Sequence, residues 1–368
     1  MPGNGPLVVR PRLDEKPWGG DRLKEFGFYG SGAEPLGEAV MTVGGAEIAG
    51  TNDGQRTLGE VVAASTDAWL GTRGMVATGQ RPVFPLLVKL LDAGQDLSLQ
   101  VHPDDDAACN LGSLGKTEAW YVVDAAPGAQ LYAGLRDGVT TSDVRDACDA
   151  GGGQLPTLLR RLPAVPGTCI LLPAGTVHAL GAGVLVYEVQ QVSDITYRLY
   201  DWDRRDANGR PRELHVDAGI AAIDVTMRPR LIPSLRVPSS AGRRQMLAAC
   251  RYFALERIAA AAGERIRVSL PRNTSPQTFT SLRGSAMVVA GERSVTLRAG
   301  ETAVASADSG NIELEGTTPV VFVRSWIPDL RAEIVEPALA GGANHDAISA
   351  LGEPLGDLRH LFASHVPR

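Results

Sequence analysis

Residues 97–105 read Leu-Ser-Leu-Gln-Val-His-Pro-Asp-Asp, and their pattern indicates the fold of the surrounding chain. Apolar and polar side chains alternate along it until a Pro-Asp-Asp turn, which is the pattern of a β-strand with one buried face. One face would carry the leucines and the valine, and the other would carry Ser98, Gln100 and His102. Because the strand turns an amide and an imidazole to the same side at its end, it offers metal ligands as well as packing.

Two later segments supply matching ligands. Residues 115–121 (Gly-Lys-Thr-Glu-Ala-Trp-Tyr) carry the carboxylate of Glu118, and residues 172–178 (Leu-Pro-Ala-Gly-Thr-Val-His) end on His178. Two histidines, one glutamate and one glutamine suit a single metal ion that keeps an open position for water or substrate. Lys116 lies two residues before Glu118, so it would project to the same side of the strand and could contact substrate.

Five motifs occur in a fixed order and together resemble the type I mannose-6-phosphate isomerases, in particular the short bacterial form. They are FPLLVKLLD at 84–92, LSLQVHPDD at 97–105, GKTEAWY at 115–121, PAGTVHAL at 173–180 and SDITYRLYD at 193–201. The resemblance covers most of residues 7–328. It implies an aldose–ketose isomerase that interconverts mannose 6-phosphate and fructose 6-phosphate through an enediolate.

The same resemblance implies the site. It assigns one zinc ion per chain to Gln100, His102, Glu118 and His178, and it matches Arg198 to the family's active-site arginine. The pattern Gly-x-x-x-x-x-Pro-x-Gly-x-x-His, which places the last metal histidine of a cupin after a turn, fits residues 167–178. One departure stands out: the family commonly has Gly-Glu-x-Trp where this chain has Gly-Glu-Ala-Val at 37–40.

The predicted fold is mainly β, with two cupin (jelly-roll) β-barrel domains. Residues 1–240 would form the metal-binding catalytic domain, with a short helical insertion at about 139–163. Residues 241–328 would form a degenerate second cupin domain, because residues 245–328 contain no histidine. Residues 329–368 would form a helical tail, in which Ile348, Leu351, Leu355, Leu358 and Leu361 recur at helical spacing. Its histidines, His345, His360 and His365, are expected at the surface.

Composition excludes several classes of partner. The formal net charge of −6 and the lack of a basic cluster argue against nucleic acid, and no apolar run reaches the roughly 18–20 residues of a membrane span. Four cysteines without CxxC spacing indicate reduced thiols in a cytoplasmic protein. The resemblance implies a hexose phosphate as the substrate, and the sequence leaves the oligomeric state open.

Two other functions stay open on the residues alone. Two histidines and a carboxylate also suit Fe(II) and oxygen chemistry, as in cupin oxygenases. A non-catalytic sugar-phosphate-binding cupin is the other alternative, which the change at residues 39–40 and the added tail leave open. The general base is not identified: Glu188 and Asp194 are candidates by position only, and Lys89 is interpreted as a residue that reaches past its strand.

Overall fold

The computed structural model describes residues 5–32, 34–49, 56–205, 209–237 and 243–363. Its strands, in chain order, are β1 (Leu7–Arg10), β2 (Arg12–Gly20), β3 (Leu36–Val40), β4 (Glu47–Ile48), β5 (Leu86–Ala93), β6 (Leu99–Val101), β7 (Glu118–Ala125), β8 (Gln130–Leu135), β9 (Leu159–Pro163), β10 (Cys169–Leu172), β11 (His178–Leu180), β12 (Val184–Gln191), β13 (Tyr197–Tyr200), β14 (Leu231–Ile232), β15 (Leu235–Val237), β16 (Arg243–Ala249), β17 (Ala254–Ala260), β18 (Arg265–Val268), β19 (Gln277–Arg283), β20 (Ala286–Ala290), β21 (Arg293–Leu297), β22 (Thr302–Ala305), β23 (Ile312–Gly316) and β24 (Val320–Trp326).

The helices are short. They are α1 (Leu58–Ala64), α2 (Thr66–Ala77), α3 (Asp105–Cys109), α4 (Thr141–Asp149), α5 (Leu155–Leu158), α6 (Val216–Ala222), α7 (Glu336–Ala340), α8 (His345–Ala350) and α9 (His360–Ala363). A π-helical turn, Leu330–Val335, precedes α7. The mainly β fold predicted from the alternating pattern is therefore confirmed.

Four antiparallel sheets stack in layers. Sheet 1 has the order β14-β10-β7-β12-β5-β2-β3, sheet 2 the order β13-β6-β11-β8-β9, sheet 3 the order β15-β16-β17-β24-β19-β22-β1-β4, and sheet 4 the order β18-β23-β20-β21. One apolar cluster lies between sheets 1 and 2, another between sheets 3 and 4, and the largest joins sheets 1 and 3. A fourth cluster packs α4, α5 and α6 against the outer face of sheet 2.

The sheets depart from closed barrels. None of the four sheets, among the residues that the structure describes, closes on itself. Sheet 3 also draws on both parts of the chain, because β1 pairs with β22 and with β4. The division at residue 240 and the barrel description stay predictions, and the shared sheet makes the two halves one packed body.

Strand β12 shows how the alternating pattern is used. Val184 and Val186 enter the cluster between sheets 1 and 2, whereas Leu185 and Tyr187 enter the cluster between sheets 1 and 3. The valine face continues through Glu188 and Gln190, both of which are buried. The strand is therefore covered on both sides, and its polar end faces the space between sheets 1 and 2.

The helical insertion is smaller than predicted. Its first piece is α4, which begins with a capping box formed by Thr140 and Asp143. Its second piece is only α5, because the chain enters β9 at Leu159 and pairs with β8. The apolar residues at 159–162 are therefore used by sheet 2 and not by a helix.

The tail lies against the body of the protein. Ile348, Leu351 and Leu358 are fully buried in the largest apolar cluster, and the Ala249 amide donates to the Leu351 carbonyl at 2.9 Å. Residues 351–359 form turns instead of a continuing helix. His345 and His360 are exposed, and His365 lies outside the described residues.

The unusual pair at 39–40 sits inside the molecule. Ala39 and Val40 are fully buried on β3, where they pair with Leu90 and Lys89 of β5. Ala39 belongs to the apolar cluster between sheets 1 and 3. The departure from the family pattern is thus accommodated by core packing at this strand.

Candidate metal centre and active site

Strand pairing brings the predicted ligands together. In sheet 2 the Cα atoms of Gln100 and His178 are direct partners on β6 and β11, and Arg198 of β13 is the partner of Gln100 on the other side. Glu118 begins β7 of sheet 1, where it pairs with Gln190. The site therefore lies between the two sheets, with the histidines on one side and the carboxylate on the other.

Both histidines present a free nitrogen to the same point. His102 Nδ1 lies 2.9 Å from the Ile195 carbonyl oxygen, and His178 Nδ1 lies 2.8 Å from the Thr176 carbonyl oxygen. A carbonyl oxygen only accepts, so each Nδ1 must donate and each Nε2 keeps its lone pair. This is the tautomer that binds a metal ion through Nε2.

Glu118 completes a three-residue cluster. Its Oε1 lies 3.1 Å from His178 Nε2, and its Oε2 lies 3.4 Å from His102 Nε2. One ligand atom from each residue falls within 4.8 Å of the others, and all three side chains are buried. Neither Glu118 oxygen has a hydrogen-bond partner among the described residues. A buried carboxylate without hydrogen bonds beside two imidazole lone pairs fits a divalent cation.

Lys116 faces the same cluster. Its Nζ lies 3.0 Å from His102 Nε2 and 3.1 Å from a Glu118 oxygen, and the side chain is buried. Burial, followed by the charge of Lys116, lowers the pKa of His102 to about 3. Burial alone would raise the pKa of Glu118, but Lys116 and the two imidazoles hold it well below its usual range. Both groups are therefore in the deprotonated form that a metal requires.

Gln100 reaches the edge of the cluster. Its Nε2 lies 3.4 Å from His178 Nε2, and its Oε1 accepts from Ser98 at 3.3 Å. The oxygen and nitrogen of an amide are assigned from surrounding hydrogen bonds, so either end can face the histidine. Its role as a fourth ligand stays a prediction.

Arg198 lies beside the ligands on the next strand. Its Nε donates to Ser98 Oγ at 3.3 Å, and Nη1 donates to the Glu213 carbonyl at 2.9 Å. Its backbone amide donates to Nδ1 of His215 at 3.3 Å. Burial and the neighbouring Arg212 lower the pKa of Arg198. His215 was not singled out from the sequence, because no strand or spacing pattern connects residue 215 to the site.

The interpretation of Lys89 was wrong. Its side chain turns inward, with Nζ 3.3 Å from Glu188 Oε1. Burial lowers the pKa of Lys89, but the charge of Glu188 raises it, and the net shift is upward. Trp120 Nε1 donates to the other Glu188 oxygen at 2.9 Å. The contact follows from strand pairing, because Lys89 of β5 and Glu188 of β12 are direct partners. Asp194, the other candidate base, is exposed.

The other residues that the structure describes offer no second centre. Among the described residues, His102, Glu118 and His178 form the only group of three or more histidine, cysteine, aspartate or glutamate side chains close enough to hold a metal ion. All four cysteines are free, and Cys169 and Cys250 are buried. No helix in the described ranges is long and apolar enough to cross a membrane.

Several known proteins are similar to this chain over most of its length. The family model of the phosphomannose isomerase type I catalytic domain matches residues 7–124. Mannose-6-phosphate isomerase ManA of Bacillus subtilis is 32% identical over 324 residues, which cover 84% of this chain and 96% of that protein. The mannose-6-phosphate isomerase of Streptococcus mutans is 37% identical over 225 residues, covering 60% of this chain and 68% of the relative. A crystal structure of the mannose 6-phosphate isomerase from Bacillus subtilis superimposes with a TM-score of 0.75 at 29% identity, over 87% of this chain and 99% of the other.

Proposed function

The chain belongs to the type I phosphomannose isomerase family, and we propose that it interconverts mannose 6-phosphate and fructose 6-phosphate. The observation that carries this proposal is the buried cluster of His102, Glu118 and His178, which could hold a metal ion. The match to the relative of 32% identity covers 96% of that protein, which is named for the same activity.

We propose that the cluster holds one zinc ion per chain, with Gln100 as the fourth protein ligand. Imidazole and carboxylate groups in this number are typical of catalytic zinc sites. A bound divalent ion supplies Lewis-acid stabilisation to substrate oxygens. The buried carboxylate of Glu118 and the Nε2 lone pairs of the two histidines support such an ion.

Arg198 and Lys116 are the proposed catalytic residues. Aldose–ketose isomerisation moves a proton between adjacent carbons through an enediolate, so the site needs charge stabilisation at oxygen and a group that transfers a proton. Arg198 keeps N–H donors available beyond those bound to Ser98 and Glu213, and its planar fork suits substrate oxygens. The Lys116 ammonium lies against two ligand residues, where it can contact the same oxygens.

The general base remains a choice between Glu188 and Asp194. Glu188 is buried and bound to Lys89 and Trp120, whereas Asp194 is exposed. The finer architecture is part of the same proposal: a catalytic cupin domain at residues 1–240, a degenerate second one at 241–328, and a tail at 329–368. The cytoplasmic location likewise rests on the sequence argument from the cysteines.

The test is an assay of mannose 6-phosphate conversion with and without a chelator. We expect turnover to disappear on chelation and to return with zinc, because the ligand set is intact without the ion. His178→Ala should abolish both turnover and metal binding. His345→Ala is the matched control, because that histidine is exposed and only stacks on Phe362.

The outcomes also separate the alternatives. Conversion that survives complete metal removal would contradict the metal-dependent isomerase. Activity restored only by Fe(II), with consumption of oxygen, would identify an oxygenase. Tight binding of the sugar phosphate without turnover in the metal-loaded protein would identify a binding protein.

A further inference from the structure

A hydrogen-bonded network connects residues 243–328, called the second half of the chain, to the loop that carries Lys116. Tyr252, in the turn between β16 and β17, donates its hydroxyl to Asp105 Oδ2 at 2.7 Å. The other oxygen, Oδ1, accepts from the Gly115 amide at 2.9 Å and from Gln191 Nε2 at 3.0 Å. Asp105 thus holds one group from the second half and two from the first.

Gln191 extends the network to the other side of Lys116. The side-chain Oε1 of Gln191 accepts from the Thr117 backbone amide at 2.9 Å, and the backbone amide of Gln191 donates to the Thr117 carbonyl at 3.1 Å. Gln191 is buried, and both of its side-chain groups are used in this arrangement. The residues before and after Lys116 are therefore both fixed through Asp105.

The approach of Gly115 to Asp105 is close. A Cβ at residue 115 would lie 2.6 Å from the Asp105 amide nitrogen, so no larger residue fits without movement. The Lys116 amide, in addition, donates to the Pro103 carbonyl at 3.1 Å, one residue after His102. The backbone of residues 115–117 is consequently defined to within a narrow range relative to the metal ligands.

The position of the Lys116 ammonium depends on where the backbone of residues 115–117 is held. Its ammonium lies 3.0 Å from His102 Nε2 and 3.1 Å from a Glu118 oxygen, so a small displacement of its backbone changes the position of the charge at the site. A lysine side chain has a long flexible stem, and its position depends on where its backbone is held. Displacements of about 1 Å are enough to slow an enzyme on the order of 10²-fold.

We propose that Tyr252 is a positioning residue for the isomerase reaction, acting through Asp105 and Gln191 on the loop that holds Lys116. This inference rests on the proposed function. It gives the second half a role in the reaction although that half contributes no metal ligand: its tyrosine fixes the loop, and the loop fixes the ammonium. Burial and the hydrogen bond to Asp105 raise the pKa of Tyr252, so the hydroxyl stays protonated and donates.

The test uses the metal-loaded, full-length protein and two Tyr→Phe variants. Tyr252→Phe removes the hydroxyl that reaches Asp105. Tyr187→Phe is the matched control, because the Tyr187 hydroxyl also links the two halves, at 2.9 Å from Ser325 Oγ, and its hydrogen bonds within the described ranges do not reach residues 115–117. A cavity of about 860 Å³ borders Asp105, Gln191 and Tyr252, so water can reach the exposed carboxylate and Tyr252→Phe should fold.

We expect Tyr252→Phe to speed hydrogen exchange at the Gly115 and Thr117 amides. It should also lower kcat by about 5- to 20-fold with a smaller change in KM, because losing one hydrogen bond to a charged group is on the scale of a tenfold effect. Tyr187→Phe should leave both measurements at wild-type values. In a Lys116→Met background, Tyr252→Phe should cause no further loss of kcat, since its effect passes through the ammonium.

Three results would overturn the inference. Unchanged exchange at residues 115–117 in Tyr252→Phe would show that the network does not hold the loop. An additive loss of kcat in the Lys116→Met background, or an unchanged kcat beside an active wild type, would show that Tyr252 does not act through Lys116. If the wild type fails to convert mannose 6-phosphate, the proposed function fails, whereas the exchange measurement still decides whether Tyr252 positions the loop.

Discussion

Replacing Arg198 by alanine is the sharpest test of the proposed chemistry. Arg198 is not a metal ligand, because a guanidinium is always protonated and has no lone pair to offer. Its side chain uses Nε on Ser98 and Nη1 on the Glu213 carbonyl, while Nη2 has no partner among the described residues. The variant should therefore remove a charge and a free donor from the site and leave the metal ligands in place.

The magnitude follows from the contacts. The two hydrogen bonds that hold Arg198 contribute on the order of 1–2 kcal/mol to stability together, so the fold survives their loss. Removing one preorganised donor to a developing oxyanion costs about 10²–10³ in kcat, or about 2.7–4 kcal/mol. Turnover should consequently fall much further than stability.

The assay compares kcat, KM and metal content in three variants. Arg198→Ala should keep its metal and lose turnover by the factor above, and Arg198→Lys should recover little, because an ammonium cannot reproduce the planar fork. Arg145→Ala is the matched control, since Arg145 makes only an exposed ion pair with Asp217. Near-normal kcat with a raised KM would show that Arg198 only binds the phosphate, and loss of the metal would refute the geometry of the site.

Three further predictions concern the metal, the pH dependence and the tail. Elemental analysis should find one zinc per chain, and two metal ions per chain would contradict the single cluster of His102, Glu118 and His178. Burial alone would raise the pKa of Asp201, but Arg212 and Arg204 lower it below its unfolded value of about 3.9. The stabilisation by Asp201 is therefore present above that pH and is lost as the pH falls further. In urea unfolding from pH 6 down to 3, the free energy of unfolding should decline less for Asp201→Asn than for the wild type, and parallel curves would refute this. Leu351 is fully buried, so Leu351→Ala should cost about 2–5 kcal/mol of unfolding free energy without loss of metal, and an unchanged urea midpoint would show that the tail contributes nothing to the core.

Local pattern determined much of the site from the sequence alone. Alternation at residues 97–105 assigned the face of Gln100 and His102, and the turn before His178 assigned its place, because side-chain direction in a strand depends only on residue parity. The motif order then indicated that Glu118 joins them. Antiparallel pairing in sheet 2 explains why Gln100 and His178 lie together, since β6 and β11 are neighbours.

Contacts between distant segments were decided only by the tertiary structure. The inward turn of Lys89 toward Glu188, the backbone bond from Arg198 to His215 and the link from Tyr252 to Asp105 each join positions that no local pattern relates. The same holds for β1, which crosses to the sheet of the second half. Strand periodicity fixes which face a side chain takes, but the choice of sheet partner depends on burying all four apolar clusters at once, and that is a property of the whole chain.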